Sequence, residues 1–195
     1  MKRNIHILGA SGSGTTTIAG LLCRKLGYTH FDSDSYFWMP TADPFTVQRP
    51  RGERLELLKN DLSNTKTWIL SGSLTGWGDE LIPFFDLVIF VYVPQDIRLG
   101  RLKRREYERY GDDILIGGVR HASSKEFLEW AATYDSGSLY GRSLAKHEKW
   151  LEGVSCPILR IENDSLAASV DTILKYVYEH QGIDEEYSLI PNELP

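Results

Sequence analysis

Asn4-Ile5-His6-Ile7-Leu8 runs directly into Gly9-Ala10-Ser11-Gly12-Ser13-Gly14-Thr15-Thr16-Thr17, and that into Ile18-Ala19-Gly20-Leu21-Leu22-Cys23. The first run reads as a short buried strand, and the last has the apolar spacing of a helix. Between them, Gly9, Gly14 and Thr16 fit the phosphate-loop pattern G-x-x-x-x-G-K-S/T, with Thr15 where the pattern has lysine. Strand, glycine-rich turn and helix is the context that the pattern requires. The glycines let the backbone fold around an anion, and the helix start points unpaired N–H groups and the positive end of its dipole at it. Gly9, Ala10, Ser11, Gly12, Ser13, Gly14, Thr15, Thr16 and Thr17 are therefore expected to cradle phosphate. Thr16 is placed to offer its hydroxyl to a magnesium ion.

The absent lysine matters because an ammonium at that position reaches the β- and γ-phosphates and neutralises charge as it develops. At about 4 Å and an effective dielectric near 20, one such ion contact is worth on the order of 4 kcal/mol. Threonine supplies a hydroxyl and no charge. Either another cation takes over, or the chain binds nucleotide and turns over poorly.

The chain has 195 residues with 42% hydrophobic content, enough for one good core and most economically a single domain. A net charge of -5 argues against a general nucleic-acid binder, which is usually basic. Cys23 and Cys156 read as buried thiols of a reducing, cytoplasmic compartment. The apolar run after Met1-Lys2-Arg3 is too short for a signal segment or a membrane span.

Apolar runs then alternate with helical patterns. Gly27 is placed as a helix cap, and Tyr28-Thr29-His30-Phe31 reads as a second strand closed by Asp32-Ser33-Asp34. A loop with Pro40, Pro44 and Pro50 leads to a helix over roughly Gly52 to Leu62. Trp68-Ile69-Leu70 is a third strand, ending in Ser71-Gly72-Ser73. Leu87 to Val93 is continuously apolar, as in a strand covered on both faces, and Pro94 stops it. A basic helix starts near Gln95, and Cys156 to Ile161 is a fifth strand. Leu166, Val170, Ile173 and Val177 then share one helical face. Repeated strand–helix units predict a parallel sheet with helices on both faces, an α/β fold in three layers. In the helical stretch between, Ser123-Ser124-Lys125-Glu126 is a capping-box candidate, Phe127, Ala131 and Tyr134 share a face, and so do Tyr140, Leu144, His147 and Leu151. This insertion, about 98–152, reads either as a mobile lid or as helices covering the core. The domain is expected over 1–182, with a C-terminal tail at 183–195.

Asp32 and Asp34 follow the second strand, at the sheet edge where open α/β folds bind ligands. Two apart in an extended segment, their carboxylates can face one site, holding Mg2+ or accepting the proton of a substrate hydroxyl. A polar turn or helix cap is the plainer alternative. Arg98, Arg101 and Arg105 fall at i, i+3 and i+7, one stripe suited to bidentate phosphate contacts or, again, a solvated helix face. If Arg101 or Arg105 replaces the lysine, its guanidinium reaches the phosphates as the lid closes, with Arg109 off the stripe. Arg120-His121 and Arg142 could close over phosphates as well. Ser71-Gly72-Ser73 could line an acceptor pocket, and Phe37-Trp38 could stack on a ring, core packing being the better reading. Asn163-Asp164 edges a purine pocket or caps the last helix, and His147 reads as a hydrogen-bonded core residue.

With these residues in this order, the chain resembles the P-loop nucleoside and nucleotide kinase superfamily, and most of all its adenylate-kinase-related branch of topology modulation proteins. The phosphate loop, the strand-two aspartates followed by Phe37-Trp38, the Trp68-to-Gly72 strand, the Leu87-to-Pro94 strand and the Arg101-Leu-x-x-Arg105 motif carry the resemblance over roughly 4–180. It implies a P-loop NTPase fold with a five-stranded parallel sheet of order 2-3-1-4-5. It also implies ATP on the loop and Mg2+ on Thr16. Asp32 or Asp34 would face the phosphoryl acceptor, with Arg101 and Arg105 over the phosphates. The implied activity is transfer of the γ-phosphate to a nucleotide, nucleoside or other small hydroxyl compound, by a cytoplasmic monomer or homodimer. Thr15 keeps open a second reading, a nucleotide-binding regulatory or interaction protein with lost or weak activity. Ser71-Gly72-Ser73 lacks the carboxylate that related chains often carry there, and no N-K-x-D motif for guanine is present.

Overall fold

A computed structural model describes residues 3–137, 142–163 and 165–180. Strand β1 (Asn4–Gly9) divides its side chains between two faces, as the period of a strand requires. Ile5 and Ile7 enter one apolar core with Ile18, Ala19 and Leu22 of α1 (Thr15–Leu26) and Val170, Ile173 and Val177 of α7 (Leu166–Glu179). Leu8 enters the opposite core with Leu55, Leu58 and Leu62 of α3 (Arg51–Ser63) and with Trp150 and Leu151 of α6 (Leu144–Leu151). Strand β4 (Leu87–Tyr92) does the same: Leu87, Ile89 and Val91 face one core, Val88 and Phe90 the other. A strand buried on both faces has no polar alternation, which is why Leu87 to Val93 reads as an unbroken apolar run.

Together with β2 (Thr29–Asp32), β3 (Trp68–Ser71) and β5 (Ile158–Glu162), these strands form a parallel sheet of order β2-β3-β1-β4-β5. The fold is the expected three-layer α/β/α arrangement. The chain leaves β1 toward β2 and β3 and returns beyond β1 to β4, so the order reverses beside the carboxyl end of β1. That crevice is where open α/β sheets bind ligands.

Several elements differ in detail from the sequence reading. Strand β2 runs one residue further, and the chain turns at once into a short helix, α2 (Ser33–Phe37). Asp32 caps α2, its Oδ1 accepting the Asp34 N–H at 3.0 Å. Asp32 and Asp34 are therefore not alternate residues of one extended segment, and the parity argument for them fails. Strand β5 begins at Ile158, after Cys156, which is half-buried, whereas Cys23 is buried. Leu166 opens α7 at 37% exposure, outside the buried face of its helix. Helix α5 (His121–Ala132) starts with Arg120 at its N-cap and no side-chain cap. The Ser123-to-Glu126 box therefore lies inside the helix, and the Ser123 hydroxyl donates to the Arg120 carbonyl instead. Tyr134 is buried but lies past the end of α5, and Tyr140, Asp164 and the expected tail fall outside the described residues. The proline loop folds into a hairpin, Trp38 pairing with Gln48. Among the described residues no helix is long and apolar enough to cross a membrane.

Candidate active site

The loop between β1 and α1 is shaped by what surrounds its glycines. A Cβ on Gly9 would meet the Val91 carbonyl at 2.5 Å, and one on Gly12 (φ 82°) the Arg98 carbonyl at 2.8 Å. Gly14 (φ 89°) takes the left-handed N-cap position of α1, where a Cβ would stand 2.9 Å from the Asn163 amide. Left-handed backbone and backbone-to-backbone approach admit little else than glycine. The loop closes on itself through the Ser13 N–H to the Ala10 carbonyl at 3.1 Å, while the Ser13 hydroxyl is buried with no protein partner. Thr15, Thr16 and Thr17 form the first turn of α1, whose N–H groups have no acceptor within the helix. Such a turn is a ready anion cradle.

Asn163 holds this loop from below. Its side chain is buried, donating to the Ser13 carbonyl at 2.9 Å and accepting from the Ser169 hydroxyl at 3.0 Å. Both ends of the amide are thus occupied by protein, and its place is as a clasp under the loop.

At the mouth of the cleft the Thr16 hydroxyl donates to Asp32 Oδ2 at 2.9 Å. Asp32, rather than Asp34, is therefore the carboxylate joined to the loop threonine. A hydroxyl and a carboxylate side by side are hard oxygen donors of the kind that Mg2+ takes, with water filling its remaining positions. Asp34 keeps exposed surface yet is crowded by protein on most sides, and this desolvation raises its pKa. Arg142 and Arg105 pull it back down and Asp32 pushes it up. Asp34 is thus a carboxylate set among two cations and one anion, beside the loop.

The arginines separate by their partners. Arg98 of α4 (Gln95–Tyr110) is fully buried, donating to the Val93 carbonyl at 2.9 Å, pairing with Asp135 and lying 5.0 Å from the Tyr134 ring. It braces the helical insertion and faces away from the cleft. Arg101 donates to the carbonyls of Gly12 at 3.4 Å and Asn163 at 3.2 Å. Arg105 lies 5.8 Å from the Phe127 ring and within the field of Asp34, its pKa lowered by desolvation and by Arg109. Arg101, Arg105 and Arg109, at i, i+4 and i+8, run along the cleft, whereas Arg98, only about 20° from Arg105 around the helix, lies in the first turn, where the Val93 carbonyl and Asp135 enclose it. Arg109 is therefore a neighbour of the site, 5.1 Å from the Phe45 ring at the hairpin tip. Arg120 pairs with Asp43 of the same hairpin at 2.6 Å and lies 4.4 Å from the Tyr110 ring. The hairpin and the helical insertion thus meet across the cleft.

Gly72 (φ 100°) packs so tightly under α2 that a Cβ would stand 2.0 Å from the Ser33 hydroxyl, so the β3 exit forms the floor behind the aspartates. Ser73 contacts His147 Nε2 at 3.0 Å, and His147 Nδ1 contacts the Tyr134 hydroxyl at 2.8 Å, joining β3 to the insertion. Phe37 carries Arg54 over its ring at 4.0 Å and meets Trp38 edge-on at 4.8 Å. Arg54, buried beneath the hairpin, carries no motif by which sequence reading could find it. The charge of Arg142 on Asp34 was equally invisible, since 108 positions separate the two residues.

A family model described as "AAA domain" matches residues 5–127. The chain is 51% identical over 178 residues to the uncharacterized protein YqaC of Bacillus subtilis, covering 91% of this chain and 98% of that one. It is 30% identical over 135 residues to a cytidylate kinase of Methanococcus vannielii, covering 63% of this chain and 76% of that one. Among solved structures, shikimate kinase from Acinetobacter baumannii superposes with a TM-score of 0.55 at 17% identity, covering 94% of this chain and 97% of that one. At that identity the likeness is one of fold.

Proposed function

From a chain that belongs to the AAA domain family, within the P-loop nucleotide kinase superfamily, we propose an enzyme that transfers the γ-phosphate of ATP to a small hydroxyl-bearing acceptor. The observation that carries the proposal is the Thr16–Asp32 contact at 2.9 Å, with Asp34 beside it in the field of two arginines. It sets the phosphate loop, two carboxylates and cations around one cleft.

In this reading Gly9 to Thr17 bind the polyphosphate through main-chain N–H groups. Thr16 and Asp32 would hold Mg2+ directly or through water, where it would supply screening of charge between the phosphates. Asp34 orients the acceptor hydroxyl and receives its proton as the oxygen attacks the γ-phosphorus and the bond to the ADP oxygen breaks. Desolvation makes Asp34 a stronger base than a free carboxylate, which suits this task near neutral pH. Arg105 and Arg142 stabilise charge on the group in transit. The hairpin and the insertion exclude water over it. The reaction belongs in the cytoplasm.

The cytidylate kinase relatives set nucleoside monophosphates first among acceptors to screen, then nucleosides and hydroxy acids. The test is phosphorus NMR of ATP with each acceptor. An acceptor-dependent ADP signal with a new phosphoester resonance is expected. Thr15 favours one other reading, nucleotide binding without transfer. ATP binding with every acceptor left unphosphorylated would establish that reading and refute the kinase.

A further inference from the structure

We infer that Arg101 supplies, from α4, the positive charge that Thr15 leaves out of the phosphate loop. The inference rests on the reading of that loop as an ATP site. The Arg101 guanidinium already lies on the loop, with Nη1 donating to the Gly12 carbonyl at 3.4 Å and Nη2 to the Asn163 carbonyl at 3.2 Å. A Cβ on Gly14, the residue before Thr15, would stand 4.0 Å from Nη1. The charge therefore sits beside the lysine position before any closure, contrary to the expectation that it arrives with the lid.

Its electrostatic state separates Arg101 from Arg98, Arg105 and Arg120. Arg98 is paired with Asp135 and Arg120 with Asp43, while Arg105 lies in the field of Asp34. Among the described residues Arg101 has main-chain carbonyls as its partners and no carboxylate within ion-pair distance. A guanidinium has five donors, and two long bonds to neutral oxygens leave both donors and charge available. In a chain of net charge -5, a cation that has no carboxylate partner among the described residues and is held half-buried on a glycine loop is suited to an anionic ligand. Its planar fork can take two phosphate oxygens, where lysine would offer a point charge.

The platform is rigid. The carbonyl that anchors Nη2 belongs to Asn163, whose side chain holds Ser13 and Ser169, so one residue both shapes the loop and fixes its cation. Arg105, one turn further along α4, lies on the side of Asp34 and the acceptor. The two arginines therefore divide the work. Arg101 belongs to the nucleotide phosphates and Arg105 to the group in transit.

The test is a double-mutant cycle read by calorimetry with ATP, ADP and AMP, and it needs no acceptor. Arg101→Met keeps the aliphatic stem and removes the charge. It is expected to weaken ATP about tenfold or more while AMP changes less than about threefold. Thr15→Lys should restore ATP binding in the Arg101→Met background yet strengthen the otherwise wild-type protein by less than about threefold, a non-additive cycle. Arg101→Lys retains the charge and should keep the ATP-to-AMP ratio within about threefold of wild type, whereas Arg104→Met, at an exposed position of the same helix paired with Glu108, should leave it within about twofold. A folded Arg101→Met protein with an unchanged ratio overturns the inference. So does equal strengthening by Thr15→Lys in both backgrounds. Protein that binds ATP in this pattern but phosphorylates no acceptor refutes the kinase and supports the charge assignment, whereas protein that binds no nucleotide overturns both.

Discussion

Lowering the pH from 7.5 to 5.0 should remove on the order of 4 kcal/mol of folding stability, through two histidines buried in the sheet's second layer. His6 is fully buried on β1, its Nδ1 on the Leu70 carbonyl at 3.0 Å and its ring stacked 4.9 Å from Phe85, and burial pulls its pKa to about 4. His147 is fully buried between Ser73 and Tyr134, and burial, assisted by Arg142 and His6, pulls its pKa to about 3. In the unfolded chain both titrate near 6.5. Below that pH the unfolded chain binds two protons that the native state refuses, so stability rises with pH across this window. Each histidine's contribution is complete above pH 6.5 and declines toward about 4 for His6 and about 3 for His147. At pH 5.0 the unfolded groups lie about 1.5 units below their pKa, and at roughly 1.4 kcal/mol per unit each histidine accounts for about 2 kcal/mol. His30, half-buried and also shifted down by desolvation, adds in the same direction. Asp34, shifted up, works against it as a single group. A domain of this size has about 5–15 kcal/mol in total, so the loss is large. Urea unfolding followed by tryptophan fluorescence at the two pH values measures it. His147→Gln, which retains hydrogen-bonding capacity, should reduce the pH dependence by about 2 kcal/mol. Wild-type stability that is flat between pH 7.5 and 5.0, or a His147→Gln protein with the full dependence, would refute the reasoning.

Two further outcomes follow from the site. Asp34→Asn should lower kcat about a hundredfold or more while ATP affinity stays within a few-fold, because proton acceptance is required in the transition state. Steady-state kinetics paired with calorimetry separates the two, and a loss confined to ATP binding would move Asp34 out of the acceptor site. Asn163→Ala leaves the Ser13 carbonyl and the Ser169 hydroxyl without their buried partners. About 2–4 kcal/mol of stability should go with them, together with a measurable loss of ATP affinity as the loop loosens. Unchanged urea midpoint and unchanged affinity would show that the clasp is dispensable.

Much of the architecture was legible in the chain because each element carries its own local signal. Gly9, Gly12 and Gly14 announce a turn whose backbone excludes a Cβ, and the run from Leu87 to Val93 announces a strand covered twice. Both are properties of a few consecutive residues. Cap positions were less legible. The Asp32-Ser33-Asp34 segment reads equally as an extended exit or as a helix cap, and Gly72 packed under Ser33 selects the second. The serines at 123 and 124 have the residues of a capping box, but α5 starts earlier, where the Gly118 turn returns the chain with the His121 N–H on the Gly118 carbonyl.

The roles of the arginines illustrate the division most clearly. Composition and spacing suffice to crowd cations onto α4 and to remove the lysine from the loop, since both are written in consecutive positions. Which cation meets the loop is a matter of how α4 lies against the sheet and which of its turns stands over the loop. That placement is set by Leu102 and Arg98 packing inward, Arg98 onto Asp135 and Leu102 beside Gly12, residues far apart in the chain. The same holds for Asp32 on Thr16 and for Asn163 beneath Ser13, pairs 16 and 150 positions apart. Local propensity depends on neighbours along the chain and can be read there. The orientation of a side chain toward a site depends on the packing of whole layers, and exists only once the sheet and its helices have closed on one another.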